Sequence, residues 1–147
     1  MSLLTKTDLV FSKVYGDYLK LARYLGIGFI TTIVDWAIFY LLIGYTGIFY
    51  MFALATSYLT STVFSFFLNK HFTFRNTYNK VHIQLASFFV VAIFGLGINE
   101  ALMYGISNFL FSGSSERALM ASRIIATLVV FIWNFILNKR ITFNIFR

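Results

Sequence analysis

Phe67-Leu68-Asn69-Lys70-His71-Phe72-Thr73-Phe74 returns 69 residues later as Ile136-Leu137-Asn138-Lys139-Arg140-Ile141-Thr142-Phe143. Leucine, asparagine, lysine, threonine and phenylalanine recur in identical places, five of the eight. Coincidence explains that poorly; duplication of a unit explains it simply. Followed backwards at the same offset, Ala53, Ser57, Ser61, Ser65 and Asn69 match Ser122, Ala126, Val130, Asn134 and Asn138. Residues four apart share a helix face, and small ones let two helices approach closely. Helix contact is therefore one role for the stripe; a polar path lined by serines is the other.

Each copy of the motif closes a long apolar run. A bilayer core of about 30 Å needs about 20 helical residues to cross it. Four stretches qualify: Tyr24 to Ile43, Ile48 to Leu68, Ile83 to Ser107 and Ala118 to Leu137. Asp35, Glu100 and Arg123 are the single charges of the first, third and fourth, and the second has none. The connections are short or polar: a tight turn at Gly44 to Gly47, a loop from Lys70 to His82, and a serine- and glycine-rich segment from Asn108 to Arg117. A unit that crosses twice returns to its starting side. The copies therefore share one orientation, related by a pseudo-two-fold axis along the membrane normal.

Composition agrees. Only 12% of residues are charged, against roughly 25% in a soluble domain. Nineteen phenylalanines and nine tyrosines suit a lipid-facing surface with interfacial aromatics. The chain has no proline, as uninterrupted helices require, and no cysteine, which removes disulfides and thiolate metal sites. The runs are too long and too evenly apolar for a β-barrel, and the first lacks the short cleavage region of a signal peptide. Before it, Phe11, Val14, Tyr15 and Tyr18 share one helical face, with Lys6, Lys13, Asp17 and Lys20 on another. That pattern fits a helix lying on the membrane surface. The fold expected is an all-α membrane protein: four transmembrane helices as two parallel two-helix repeats, preceded by an interfacial amphipathic helix. Residues 1–20 form the amphipathic segment and 21–147 the membrane domain, with repeats at 21–76 and 83–145.

Orientation follows from the basic residues. Lys6, Lys13, Lys20, Arg23, Lys70, Arg75, Lys80, Lys139, Arg140 and Arg147 fall on the side of the termini, and only Arg117 and Arg123 toward the other. Both termini and the Lys70–His82 loop are expected in the cytoplasm. The net charge of +7 then serves membrane anchoring and not nucleic acid.

Two groups of residues carry candidate chemistry. Asp35, Glu100 and Arg123 lie at similar depth. An unpaired charge in hydrocarbon costs on the order of 3 kcal/mol, so they are expected to face inward and interact. They form either a salt bridge that locks the bundle or a transport site, with Arg123 for an anion and the acids for a proton. At the cytoplasmic ends, Lys70, Lys139 and Arg140 attract anionic head groups, and Asn69 and Asn138 either cap the helices or contact a phosphate oxygen. No nucleophile elbow, P-loop or metal-spaced histidine pair is present; His71 and His82 stand eleven apart. Neither an enzyme nor a cofactor or metal site is expected.

Over roughly Leu21 to Phe143 the chain resembles the GtrA-like family of small bacterial membrane proteins. The resemblance rests on Gly26-Ile27-Gly28-Phe29-Ile30-Thr31-Thr32-Ile33-Val34-Asp35 opening the first helix. It rests more specifically on Leu-Asn-Lys followed by an apolar residue and Thr-Phe, at Leu68–Phe74 and again at Leu137–Phe143. Length and composition look similar to members serving teichoic-acid or O-antigen glycosylation. The resemblance implies translocation of a polyprenyl-phosphate-linked monosaccharide across the bacterial cytoplasmic membrane, for addition to a surface polymer. It implies as partners that lipid, the surrounding membrane lipids and a membrane glycosyltransferase, and leaves homo-oligomers open. Asp35, Asn69, Lys70, Asn138 and Lys139 carry over as candidate functional positions; Glu100 and Arg123 rest on burial cost alone. Two other functions compete: a scaffold that recruits a glycosyltransferase, and a small proton-coupled multidrug exporter. The parallel repeat and the basic Asn-Lys ends weigh against the exporter.

Overall fold

The computed structural model describes residues 3–109 and 116–145, with side chains from Leu9 onward except those of 51, 107 and 116–120. The segment between the third and fourth spans therefore lies largely outside the described residues, as does the Arg117 side chain. Every element among the described residues is helical. The order is α1 (Leu3–Thr46), α2 (Tyr50–Leu68), a π-helical turn (Asn69–Thr73), α3 (Val81–Phe109), α4 (Glu116–Leu137) and a second π-helical turn (Asn138–Thr142). This is an all-α membrane protein. Leu9–Thr46, Val81–Ile106 and Ala121–Thr142 are long and apolar enough to cross a bilayer. The second helix has 19 residues and no charged side chain, and reaches about 28 Å.

The chain divides into two compact units, Met1–Thr77 and Tyr78–Arg147. Each is a pair of helices closed by a π-turn. In the first, α1 packs against α2, and in the second α3 packs against α4. Tyr24, Ile27 and Thr31 bury against α2, at the three- and four-residue steps of one helical face. The facing stripe is Ala53, Ser57, Ser61 and Phe66, all buried. The second unit repeats this with Gln84, Phe88 and Val91 of α3 and Ser122, Ala126, Val130 and Phe135 of α4. The repeated stripe is thus the helix–helix seam. Most of its residues are small because two backbones that carry no bulky side chains between them gain van der Waals contact along their length. Large apolar side chains cover the outside of both pairs, among them Phe29, Ile33, Phe94, Leu128 and Ile132. In water such a surface would aggregate; in lipid it is the solvated face.

The surface segment read from the sequence is helical, and it runs into the first span without a break. α1 has 44 residues, about 66 Å, twice the hydrocarbon thickness. A change of polarity near Tyr24 suggests a boundary, but polarity does not stop a helix, and no proline interrupts this one. α1 ends instead at Thr46. There Gly47 takes φ +62°, the left-handed conformation that closes a helix with no Cβ penalty.

Candidate functional site

The two π-turns explain three letters of the repeated motif. Beyond Leu68 and Leu137 the backbone widens by one residue. Phe74 N donates to Asn69 O and Phe143 N to Asn138 O, each at 2.9 Å. The Asn69 Oδ1 accepts the Thr73 hydroxyl at 2.9 Å, and the Asn138 Oδ1 accepts that of Thr142 at 2.9 Å. Asn69 Nδ2 donates back to Ser65 O at 2.9 Å. The two asparagines and two threonines are all buried. The closing phenylalanines then dock edge-to-face on the first helix of their unit. Phe74 meets Tyr24 and Phe143 meets Phe88, both with ring centroids 6.3 Å apart. Asparagine supplies the acceptor, threonine four residues on the donor, and phenylalanine the anchor. The carboxamide oxygens of Asn69 and Asn138 are therefore engaged within the protein.

These ring contacts also fix how the units correspond. Tyr24 and Phe88 are equivalent, an offset of 64 along α1 and α3, against 69 along α2 and α4. At that offset Leu21, Ala22, Ala37 and Tyr40 recur as Leu85, Ala86, Ala101 and Tyr104. From the letters alone the first and third helices correspond only loosely, and the acids Asp35 and Glu100 pair if the offset there is 65. The geometry corrects this: Asp35 corresponds to Asn99, and Glu100 to Trp36. A one-residue shift moves a side chain about 100° around the helix.

At the basic ends the candidates separate. Lys70, expected to open a polar loop at the membrane interface, is buried within the first π-turn, its Nζ donating to Asn76 Oδ1 at 3.1 Å. Burial disfavours the ammonium and moves its pKa below the ordinary lysine value. Lys139 is half-buried and Arg140 exposed. Three residues absent from the sequence-based candidates join these ends. Arg23 Nη1 donates to Phe72 O at 3.4 Å. In the second unit Gln84, fully buried, donates to Thr142 O at 3.2 Å, and Ser87 shares a 3.0 Å hydrogen bond with the Thr142 hydroxyl. A lone glutamine among apolar residues was the only signal.

The three intramembrane charges are not alike. Asp35 prolongs the buried face of Tyr24, Ile27 and Thr31, and its Oδ1 is fully buried without a hydrogen-bond partner among the described residues. It opens on a cleft of ≈ 250 Å³ lined by Asp35, Trp36, Phe39, Tyr40, Leu54 and Ser57. Glu100 and Arg123 are exposed on the outside of their helix pair. Arg123 lines an apolar groove with Ile124, Thr127 and Leu128. Among the described residues, none of the three forms an ion pair within its unit. The Asn134 Oδ1 is also buried without a partner there, its carboxamide pressed on Gly95 so closely that a Cβ at that glycine would overlap it.

A duplicated helix pair, lipid-facing outside and polar at its seam and at its basic ends, defines a small multi-pass membrane protein. Residues 23–143 match the family model of the GtrA/DPMS transmembrane domain, and the chain belongs to that family. No curated protein and no solved structure matches it. Membership is consistent with a membrane protein that handles lipid-linked sugars, in a family whose members are generally non-catalytic.

Proposed function

We propose that the protein carries a polyprenyl-phosphate-linked monosaccharide from the inner to the outer leaflet of the bacterial cytoplasmic membrane, where the sugar joins a surface polymer such as teichoic acid or O-antigen. The observation that carries this is the GtrA/DPMS match across both helix pairs. The physics supports it. The prenyl tail can stay in lipid throughout, so only a phosphate and one sugar need shelter from hydrocarbon. Lys139 and Arg140 attract the phosphate at the cytoplasmic side, with the buried Lys70 contributing from within the first π-turn, and Arg123 offers a second guanidinium at depth. Asn69 and Asn138 shape the turns that carry Lys70 and Lys139, of which Lys139 is the more accessible. Asp35 and Glu100 are the intramembrane acids available for sugar hydroxyls or a proton. A membrane glycosyltransferase loads the lipid.

Purified protein reconstituted into vesicles with polyprenyl-phosphate glucose tests this. The sugar should become accessible to an external glycosidase or lectin many times faster than in empty vesicles. A protein that only recruited a glycosyltransferase would leave accessibility at background. Orientation is tested separately: a cysteine at Thr77 should label from the cytoplasm alone, as the bias of basic residues predicts.

A further inference from the structure

We propose that the Asp35 cleft of the first unit is the binding site for a single monosaccharide ring, the head group of the carried lipid. The inference rests on the transport reading above and adds to it the place and chemistry of sugar recognition.

Four observations converge. The first is the buried Asp35 Oδ1, which has no donor among the described residues. An ionised carboxylate only accepts hydrogen bonds, and a buried acceptor left unsatisfied is costly. A sugar brings O–H donors. The second is Ser57, only 1% exposed and on the facing helix. Its hydroxyl proton goes to Leu54 O at 3.1 Å, which leaves its lone pairs for a second sugar hydroxyl. The third is the wall: Trp36, Phe39 and Tyr40 supply half the lining, and the apolar C–H face of a pyranose stacks on such rings. The fourth is size. Small-molecule sites run to about 300–1,000 Å³, so a cleft of ≈ 250 Å³ takes one ring and not an oligosaccharide.

Charge divides the ligand. A carboxylate repels a phosphate, so the ring and its phosphodiester occupy different places, the phosphate near cationic groups. The second unit does not rebuild this site. Asn99 stands in place of Asp35 and keeps an acceptor without the charge; Ala126 in place of Ser57 offers no polar atom at all. Glu100 and Met103 replace Trp36 and Phe39, so of the three rings in the wall only Tyr40 has an aromatic counterpart, Tyr104.

An aromatic wall beside a carboxylate also suits a lipophilic cation, the cargo of an exporter. The test separates the two. The chain has two tryptophans, so Trp133→Phe leaves Trp36 as the reporter within the cleft. That variant, in nanodiscs, is titrated with polyprenyl-phosphate glucose, polyprenyl-phosphate N-acetylglucosamine, sugar-free polyprenyl phosphate and tetraphenylphosphonium. Trp36 emission should shift saturably with at least one sugar-bearing lipid and with neither of the other two. Asp35→Asn, which preserves shape and volume and installs the second unit's residue, should bind about tenfold more weakly or worse, as loss of a charged hydrogen bond predicts. Equal response to sugar-free lipid, preference for the cation, silence toward both sugars, or unchanged affinity in Asp35→Asn would each overturn the site. The vesicle assay run on the same variant keeps the two readings apart. Translocation with a silent Trp36 removes this site and leaves the function; a sugar-specific Trp36 response without translocation does the reverse.

Discussion

At their motif-bearing ends the two helix pairs do the same thing with the same residues. Thr73 binds Asn69 as Thr142 binds Asn138, and Phe74 meets Tyr24 as Phe143 meets Phe88. Deeper in the membrane they part. The first unit lines a cleft with Asp35 and Ser57 from its two helices, where the second has the neutral Asn99 and the apolar Ala126. Trp36 and Leu54 of that cleft correspond to Glu100 and Arg123, both exposed. After duplication the ends stayed alike because a change to either member of the buried asparagine–threonine pair removes a hydrogen bond on which the turn depends. Along the middle of the seam a change on one helix can be matched by a change on the other.

The largest effect expected is at the shared ends. Asn69→Leu should lower stability by about 2–3 kcal/mol, since it leaves the buried Thr73 hydroxyl without its acceptor at a widened turn, and Asn138→Leu by about 1–2 kcal/mol, since the Thr142 hydroxyl keeps its hydrogen bond with Ser87. Thermal unfolding in detergent measures this. A loss at both sites is expected, somewhat smaller at Asn138, and full tolerance at one alone would break the equivalence.

The seam supplies the next test. Thr31 and Ser65 hold in the first unit the places of Gly95 and Asn134 in the second, with large and small exchanged across the pair. Gly95→Ala should cost about 1–3 kcal/mol by overlap with the Asn134 carboxamide. Adding Asn134→Ser should recover most of that loss in the same unfolding experiment, because, as at Ser65 opposite Thr31 in the first unit, the smaller side chain leaves room for a Cβ on the facing helix.

A smaller contrast separates the two means of holding the turns. Gln84→Leu removes a buried 3.2 Å bond to Thr142 O and should cost about 1 kcal/mol. Arg23→Met removes an exposed 3.4 Å contact to Phe72 O, and its effect on stability should be a few tenths at most. A larger loss for Arg23→Met would mean that the first unit leans on its arginine as the second does on its glutamine.

Least of all should follow from Glu100→Gln and Arg123→Met. Exposed on the outside of their helix pair and without an ion pair inside it, each should change stability by no more than about 0.5 kcal/mol. Arg123→Met should nonetheless slow sugar-lipid translocation if its guanidinium meets the phosphate. A severe unfolding penalty would instead restore the structural bridge that the sequence suggested.

The membrane class, the helices and the duplication were legible because each depends on properties carried by single residues or regular spacing. Apolar length and an absence of charge suffice to place a helix in lipid, and identical letters at a fixed offset need no coordinates. Asn69, Lys70, Asn138 and Lys139 stood out for the same reason. What those letters do was not legible. Whether an asparagine reaches outward to a ligand or inward to a threonine depends on one extra residue per turn, and only the docked phenylalanine reveals that widening. Lys70 is expected at the membrane interface, where its charge faces head groups; its burial follows from the turn that folds over it. The correspondence of Asp35 was missed by one position, since α1 and α3 share few letters and a second acid one residue beyond Asn99 drew the pairing to itself. Gln84 and Arg23 gave little signal, because their partners lie some fifty residues away in sequence. The sequence by itself determined that this chain lives in a bilayer as a doubled helix pair, because transfer from water to lipid is additive over residues. The tertiary structure alone decided which polar groups satisfy one another and which, like the Asp35 carboxylate, stay turned toward a cleft, because a hydrogen bond depends on the positions of two groups at once.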